Sequence, residues 1–146
     1  MLSATCKYGI RAVLFIASRQ EQETNTRLKE IVDKLKVPQP YLAKILQTLA
    51  RKKILHSSKG PHGGFSLMIP PAKLTLMDLI EALDGRDFFD RCYVTGEKCN
   101  FDEPDKGLCI LHNGLREEKI RLERFFSSKS IEDLLKQLNS DQSVRI

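Results

Sequence analysis

Residues 28–70 read "LKEIVDKLKVPQPYLAKILQTLARKKILHSSKGPHGGFSLMIP", and three features of this run decide the fold. Leu28, Ile31, Val32 and Leu35 recur at i, i+3, i+4, i+7 spacing, and Leu42, Ile45, Leu46 and Leu49 repeat the stripe. Each stripe marks a helix with one apolar face. Only "KVPQP", residues 36–40, separates them; Pro38 and Pro40 hold the residues before them extended, ending one helix and letting the next begin. Asn25 and Thr26 are the N-cap candidates of the first helix. The third feature is "ILHSSKGPHGGFSLMIP", residues 54–70, where Gly60, Pro61, Gly63 and Gly64 break structure between two apolar runs, as in a strand, a turn and a second strand. Two short amphipathic helices on a tight turn form a helix-turn-helix, and a hairpin directly after it makes a winged helix. The expected fold class is mainly α with a small β-hairpin wing, an α+β chain.

The second helix of the pair presents Pro40, Tyr41, Lys44, Gln47, Thr48 and Arg51 opposite its buried stripe, a surface able to enter a major groove of double-stranded DNA. Lys59 and His62 on the wing, with Lys52 and Lys53 before it, would lie near backbone phosphates. Charge agrees. Residues 1–60 carry 12 Lys and Arg against 4 acids, a net of +8, whereas residues 61–146 carry the other 12 against 15, a net of −3. Taken alone, such a balance fits equally well with basic residues that merely solubilise helix faces. Groove-facing side chains, wing and charge coincide in one half of the chain, which points to DNA binding.

Outward from this core, residues 3–18 carry Ile10, Val13, Leu14, Ile16 and Ala17 at helical spacing, and residues 20–26, "QEQETNT", read as a polar loop. Residues 74–85, "LTLMDLIEALDG", predict a helix capped by Thr75 and stopped by Gly85. A polar loop follows, then a long helical pattern over residues 110–126 with Leu111, Leu115, Ile120, Leu122, Phe125 and Phe126 among charges. A last helix starts at Ser130, with Asp133 three residues on in a capping pair.

The loop at residues 91–114, "RCYVTGEKCNFDEPDKGLCILHNG", holds three of the chain's four cysteines. At 146 residues and 41% hydrophobic composition the chain can bury one core without a metal. Lys7 and Arg11 interrupt the apolar N-terminus, which therefore reads poorly as a signal peptide, and no window approaches a membrane span. The expected location is the cytoplasm, where thiols stay reduced and clustered cysteines more often mean metal or redox chemistry than disulfides. Cys92, Cys99, Cys109 and His112 are spaced C-x6-C-x9-C-x2-H. Thiolates and imidazole suit either zinc or an iron–sulfur cluster, and spacing alone does not choose between them. Thiol sensing without a metal also stays open. Cys6, in the first helix, reads as a small buried hydrophobe. No nucleophile stands with a base and an orienting group, so an enzyme is not expected.

The segments "KYGIRAVLFIA", "VPQPYLAKILQTL", "KGPHGGFSL" and "LTLMDLIEALDG", with a cysteine loop before a long helix, resemble the Rrf-type family of bacterial transcription regulators over residues 1–138. That family includes the IscR, NsrR and CymR kinds. The resemblance implies a homodimer, promoter operator DNA as partner, and three regions: a winged helix-turn-helix at 1–85, a sensor loop at 86–109, and a dimerisation helix with a C-terminal helix at 110–146. It implies a 2Fe-2S cluster on Cys92, Cys99, Cys109 and His112, with zinc as the alternative metal. A cluster-free regulator that answers a partner protein or thiol oxidation is the other reading, and a small iron–sulfur electron carrier would leave the basic half and the wing without a role. The stretch between Cys99 and Cys109 is longer than the family's usual one and carries Asp102, Glu103 and Asp105. A carboxylate or a group from the partner subunit therefore stands beside His112 as a candidate fourth ligand.

Overall fold

The computed structural model describes residues 2–19, 25–98 and 111–140, His112 and Asn113 by backbone alone. Its elements run α1 (Ala4–Arg19), α2 (Leu28–Leu35), α3 (Gln39–Arg51), β1 (Leu55–Ser58), β2 (Gly64–Leu67), α4 (Leu76–Leu83), α5 (Asp87–Asp90), α6 (His112–Ser128) and α7 (Ile131–Ser140). The mainly α chain with one hairpin is the architecture its sequence predicts.

The two stripes meet as expected. Ile31 and Leu35 of α2 and Leu42, Ile45, Leu46 and Leu49 of α3 bury against Ala12, Val13, Ile16 and Ala17 of α1. Lys36 takes a left-handed backbone (φ 55°) and donates its amide to the Val32 carbonyl at 2.8 Å, closing α2. Pro38 caps α3, and Pro40 sits in its first turn, where a missing N–H removes no helical bond.

The start of α2 corrects the sequence reading. Neither Asn25 nor Thr26 caps it; Arg27 occupies the cap, and its amide donates to the Glu30 carboxylate at 2.8 Å. Asn25 and Thr26 go to the wing instead. β1 and β2 pair antiparallel in the register Leu55↔Leu67, and Thr26 adds a bridge on the far side of β2, exchanging two 2.9 Å backbone bonds with Phe65. Both Thr26 and Phe65 are buried, so their amides and carbonyls need partners, and each supplies the other's.

Thr75 caps α4 with Asp78, and Gly85 follows it in the left-handed region (φ 74°). The polar stretch after Gly85 does not stay a loop throughout: one turn, α5, forms because Phe89 buries against Cys6, Met77 and Ile80. Ser130 and Asp133 make the capping pair at α7, with Ser130 Oγ donating to the carboxylate at 2.7 Å. Helix α7 returns to α1. Ile131 is fully buried, its amide donates to Leu74 O at 2.8 Å, and Leu134, Leu135 and Leu138 lie against the same core as α3. Among the described residues no helix is long and apolar enough to cross a membrane.

Candidate nucleic-acid interface and cysteine segment

Helix α3 leads into the wing and packs on its first strand. Pro40, Tyr41, Lys44, Gln47 and Arg51 are exposed along α3, and Lys59 and His62 are exposed on the wing. They divide by what they already touch. Tyr41 Oη lies 2.9 Å from Thr5 Oγ1 and its ring meets Tyr8 edge-on at 6.1 Å, so this side chain fastens α3 to α1. Thr48 is half-buried; its hydroxyl donates to Lys44 O at 3.0 Å and accepts from Arg51 Nη2 at 3.2 Å. Among the described residues, the side chains of Lys44, Gln47, Lys59 and His62 make no hydrogen bond, ion pair or ring contact within the chain. They are polar donors facing water.

The wing that carries Lys59 and His62 is held from α2. Asn25 Nδ2 donates to Ser58 Oγ at 2.9 Å and to the His62 carbonyl at 3.4 Å, and Arg27 Nη2 donates to the Pro61 carbonyl at 3.2 Å. Gly64 makes this closeness possible: a Cβ there would stand 2.6 Å from Thr26 O and 2.9 Å from Thr26 C. As a cap candidate Asn25 gave no sign of its part in holding the wing. It lies three residues before the start of α2, as a cap candidate does, but its partners are more than thirty residues away.

Further along the chain, Cys92 comes just after Arg91, the C-cap of α5. It is half-buried, and its Sγ accepts from the Val94 amide at 3.4 Å. Cys99 and Cys109 lie outside the described residues, and His112 is described only as the first residue of α6. Among the described residues no three His, Cys, Asp or Glu side chains gather as a metal site. Cys6 belongs to none: it is fully buried beneath α4, and burial, with the Asp84 carboxylate second, pushes its thiol up to about 12.

Cations stand on the helices around Cys92, though most already have partners. Arg86 pairs with Glu81, Asp90 and Glu123, joining α4, α5 and α6, and its bonds to Glu123 and Glu81 hold its guanidinium pKa above the ordinary value. Lys119 of α6 is buried with its ammonium at the end of α5. One turn earlier on α6, the Nε of Arg116 is buried with no hydrogen-bond partner. An apolar stripe with charges between was the reading of residues 110–126; a stripe count cannot distinguish a solvated Lys or Arg from one turned inward.

The description "Rrf2: Iron-dependent Transcriptional regulator" matches residues 2–137. A protein of Aquifex aeolicus (strain VF5), provisionally named an HTH-type transcriptional regulator, is 32% identical over 137 residues, covering 92% of this chain and 91% of its own. The HTH-type transcriptional regulator NsrR of Oceanobacillus iheyensis is 22% identical over 129 residues, covering 88% and 85%. In fold, the chain is similar to CymR, the global cysteine regulator of B. subtilis, at a TM-score of 0.77 and 21% identity, with 94% and 97% covered. It is similar also to IscR of T. potens, at a TM-score of 0.72 and 19% identity, with 100% and 92% covered.

Proposed function

Because the chain belongs to the Rrf2 family of transcriptional regulators, we propose that it binds promoter operators as a homodimer, with an affinity set by a 2Fe-2S cluster held in the segment from Cys92 to His112. The observation that carries the DNA half of this reading is the set of unpartnered donors, Lys44, Gln47, Lys59 and His62, exposed on α3 and the wing. Gln47 suits a base edge, with a wrong base pair costing about 1–3 kcal/mol, whereas Lys59 and His62 suit phosphate. Pro40 and Tyr41 set how α3 enters the groove, and Thr48 bridges Lys44 to Arg51. The wing acts as a rigid arm, since Asn25, Thr26 and Arg27 tie it to the start of α2.

Dimerisation would use α6. Leu111 just before it and Phe125 within it are 48% and 50% exposed, and Leu115 and Ile120 are half-buried. A two-fold contact of α6 with its copy would cover them, and would set two α3 helices on half-sites about one helical turn, 34–36 Å, apart.

For the cluster, the supporting observation is electrostatic. Three thiolates and an imidazole make an anionic donor set, and the described flank of the segment offers the buried Arg116 Nε without a partner and the Lys119 ammonium. These cations support an anionic group in this segment. Cys92, Cys99, Cys109 and His112 would hold it, with a carboxylate of Asp102, Glu103 or Asp105 in place of His112 as the variant ligand set. When bound, the group supplies a redox- and ligand-sensitive centre whose potential an imidazole ligand raises above an all-thiolate site. Protein purified without oxygen should be brown, with visible charge-transfer absorption, and Cys92→Ala, Cys99→Ala and Cys109→Ala should each lose it while the fold persists. Colourless wild-type protein with stoichiometric zinc, or with no metal after supply of iron and sulfide, overturns the cluster.

A further inference from the structure

Among the described residues, Lys119 is the one charged side chain that is buried, at 6% exposure. An ammonium taken out of water is costly unless carbonyls or charges replace its hydration. Lys119 Nζ donates to Phe89 O at 3.3 Å and to Arg91 O, and it stands 4.2 Å from the centre of the Tyr93 ring. All three partners flank Cys92, at positions 89, 91 and 93. Glu123, one turn further along the same face of α6, pairs with Arg86 at the other end of α5. The peptide that leads into Cys92 is thus pinned to α6 at both ends.

We propose that Lys119 is a positioning residue that couples the cysteine segment to α6, and through α6 to the DNA-binding half. The inference rests on the reading that the state of this segment sets operator affinity. Any rearrangement at Cys92 that moves Arg91 or Tyr93 takes from the ammonium a carbonyl or the ring beneath it and leaves Phe89 O alone, so α6 must follow the segment or the contact must break. Helix α6 in turn packs through Leu122 and Phe126 on Met77, Ile80 and Phe89, and α4 packs on α1 and α3. Movement at Cys92 therefore has a path of packed elements to the recognition helix.

Lys119→Met keeps the aliphatic stem and removes the ammonium, Lys119→Arg keeps the charge, and Tyr93→Leu removes the ring under the ammonium together with its hydroxyl bond to Phe88 O, guarding against a misfolded Met variant. Two readouts separate the coupling from general stability. The first is the rate at which Cys92 of metal-free protein reacts with iodoacetamide, followed by peptide mass spectrometry. It should rise several-fold in Lys119→Met and in Tyr93→Leu, and remain near wild type in Lys119→Arg. The second is the ratio of operator affinities with and without reconstitution by ferrous iron and sulfide; Lys119→Met should shrink the wild-type ratio at least fivefold. Unchanged Cys92 labelling in both Lys119→Met and Tyr93→Leu overturns the positioning role. So does an unchanged affinity ratio in Lys119→Met. A wild-type ratio of one is a different result: it removes regulation by the segment, while labelling still decides whether Lys119 positions it.

Discussion

Gly64→Ala tests whether the wing works because it is fastened to α2. The added methyl would meet backbone, Thr26 O at 2.6 Å and Thr26 C at 2.9 Å, with Asn25 Cβ at 3.1 Å. Backbone does not swing aside as a side-chain tip does, so the Asn25–Arg27 segment must lift from β2. That breaks the two Thr26–Phe65 bonds of 2.9 Å and stretches the Asn25–Ser58 bond. At about 0.5–1.5 kcal/mol for each backbone bond, the loss is about 1–3 kcal/mol. Restriction of the unfolded chain by alanine returns about 0.4–1 kcal/mol, because Gly64 does not have a positive φ. The net expectation is a destabilisation centred near about 1.3 kcal/mol, read as a lower urea midpoint at fixed protein concentration. Operator affinity should fall as well, with base preference preserved, since α3 is untouched and only the arm carrying Lys59 and His62 loosens. Stability within about 0.3 kcal/mol of wild type would refute the reasoning, for it would mean that the segment moves without losing its bonds. A normal affinity on a destabilised wing would show that DNA binding does not need the fastening.

Three further outcomes follow from the same geometry. Lys59→Ala should weaken operator binding and lower the slope of log affinity against log salt by about 0.9 per subunit, the signature of one lost phosphate contact; titrations at several salt concentrations measure it, and an unchanged slope takes Lys59 out of the interface. Ile131→Ala, at a fully buried site where α7 enters the main core, should cost about 2–5 kcal/mol in chemical denaturation, and a cost under 1 kcal/mol would mean that α7 is not seated there. Cys6, with its thiol pushed up to about 12 by burial, is about 1 part in 10,000 thiolate at pH 8 and should resist alkylation in the folded chain while Cys92 reacts. The sign for stability is that Cys6 costs nothing below about pH 9, its ordinary value, and penalises folding as pH climbs from there toward 12; Cys6→Ala should flatten that alkaline decline.

The helix-turn-helix and wing were legible in the sequence because local rules determine them. Apolar stripes at 28–35 and 42–49, prolines at 38 and 40, and glycines around 60–64 each act on their own neighbours. The same holds for Thr75 with Asp78 and for Ser130 with Asp133. What eluded the pattern was set at a distance. Asn25 looks like a helix cap, yet Ser58 and His62 are its partners; α5 forms because Phe89 finds a pocket made by α1 and α4. Lys119 shows the limit most clearly, since its chemistry comes from the carbonyls of Phe89 and Arg91, about thirty residues earlier. Along α3, exposure was legible but occupancy was not: Tyr41 and Thr48 are already bonded within the chain.

The central claim, that the Cys92–His112 segment sets DNA affinity, is tested most directly by operator titration. An operator selected by the wild-type protein from random duplexes would be titrated without oxygen, at one salt concentration, with metal-free protein and with protein reconstituted by ferrous iron and sulfide. The two affinities should differ by about 5- to 150-fold, the usual range of coupling between two sites in one molecule. Identical affinities, with the cluster shown to be present by its absorption, would contradict it.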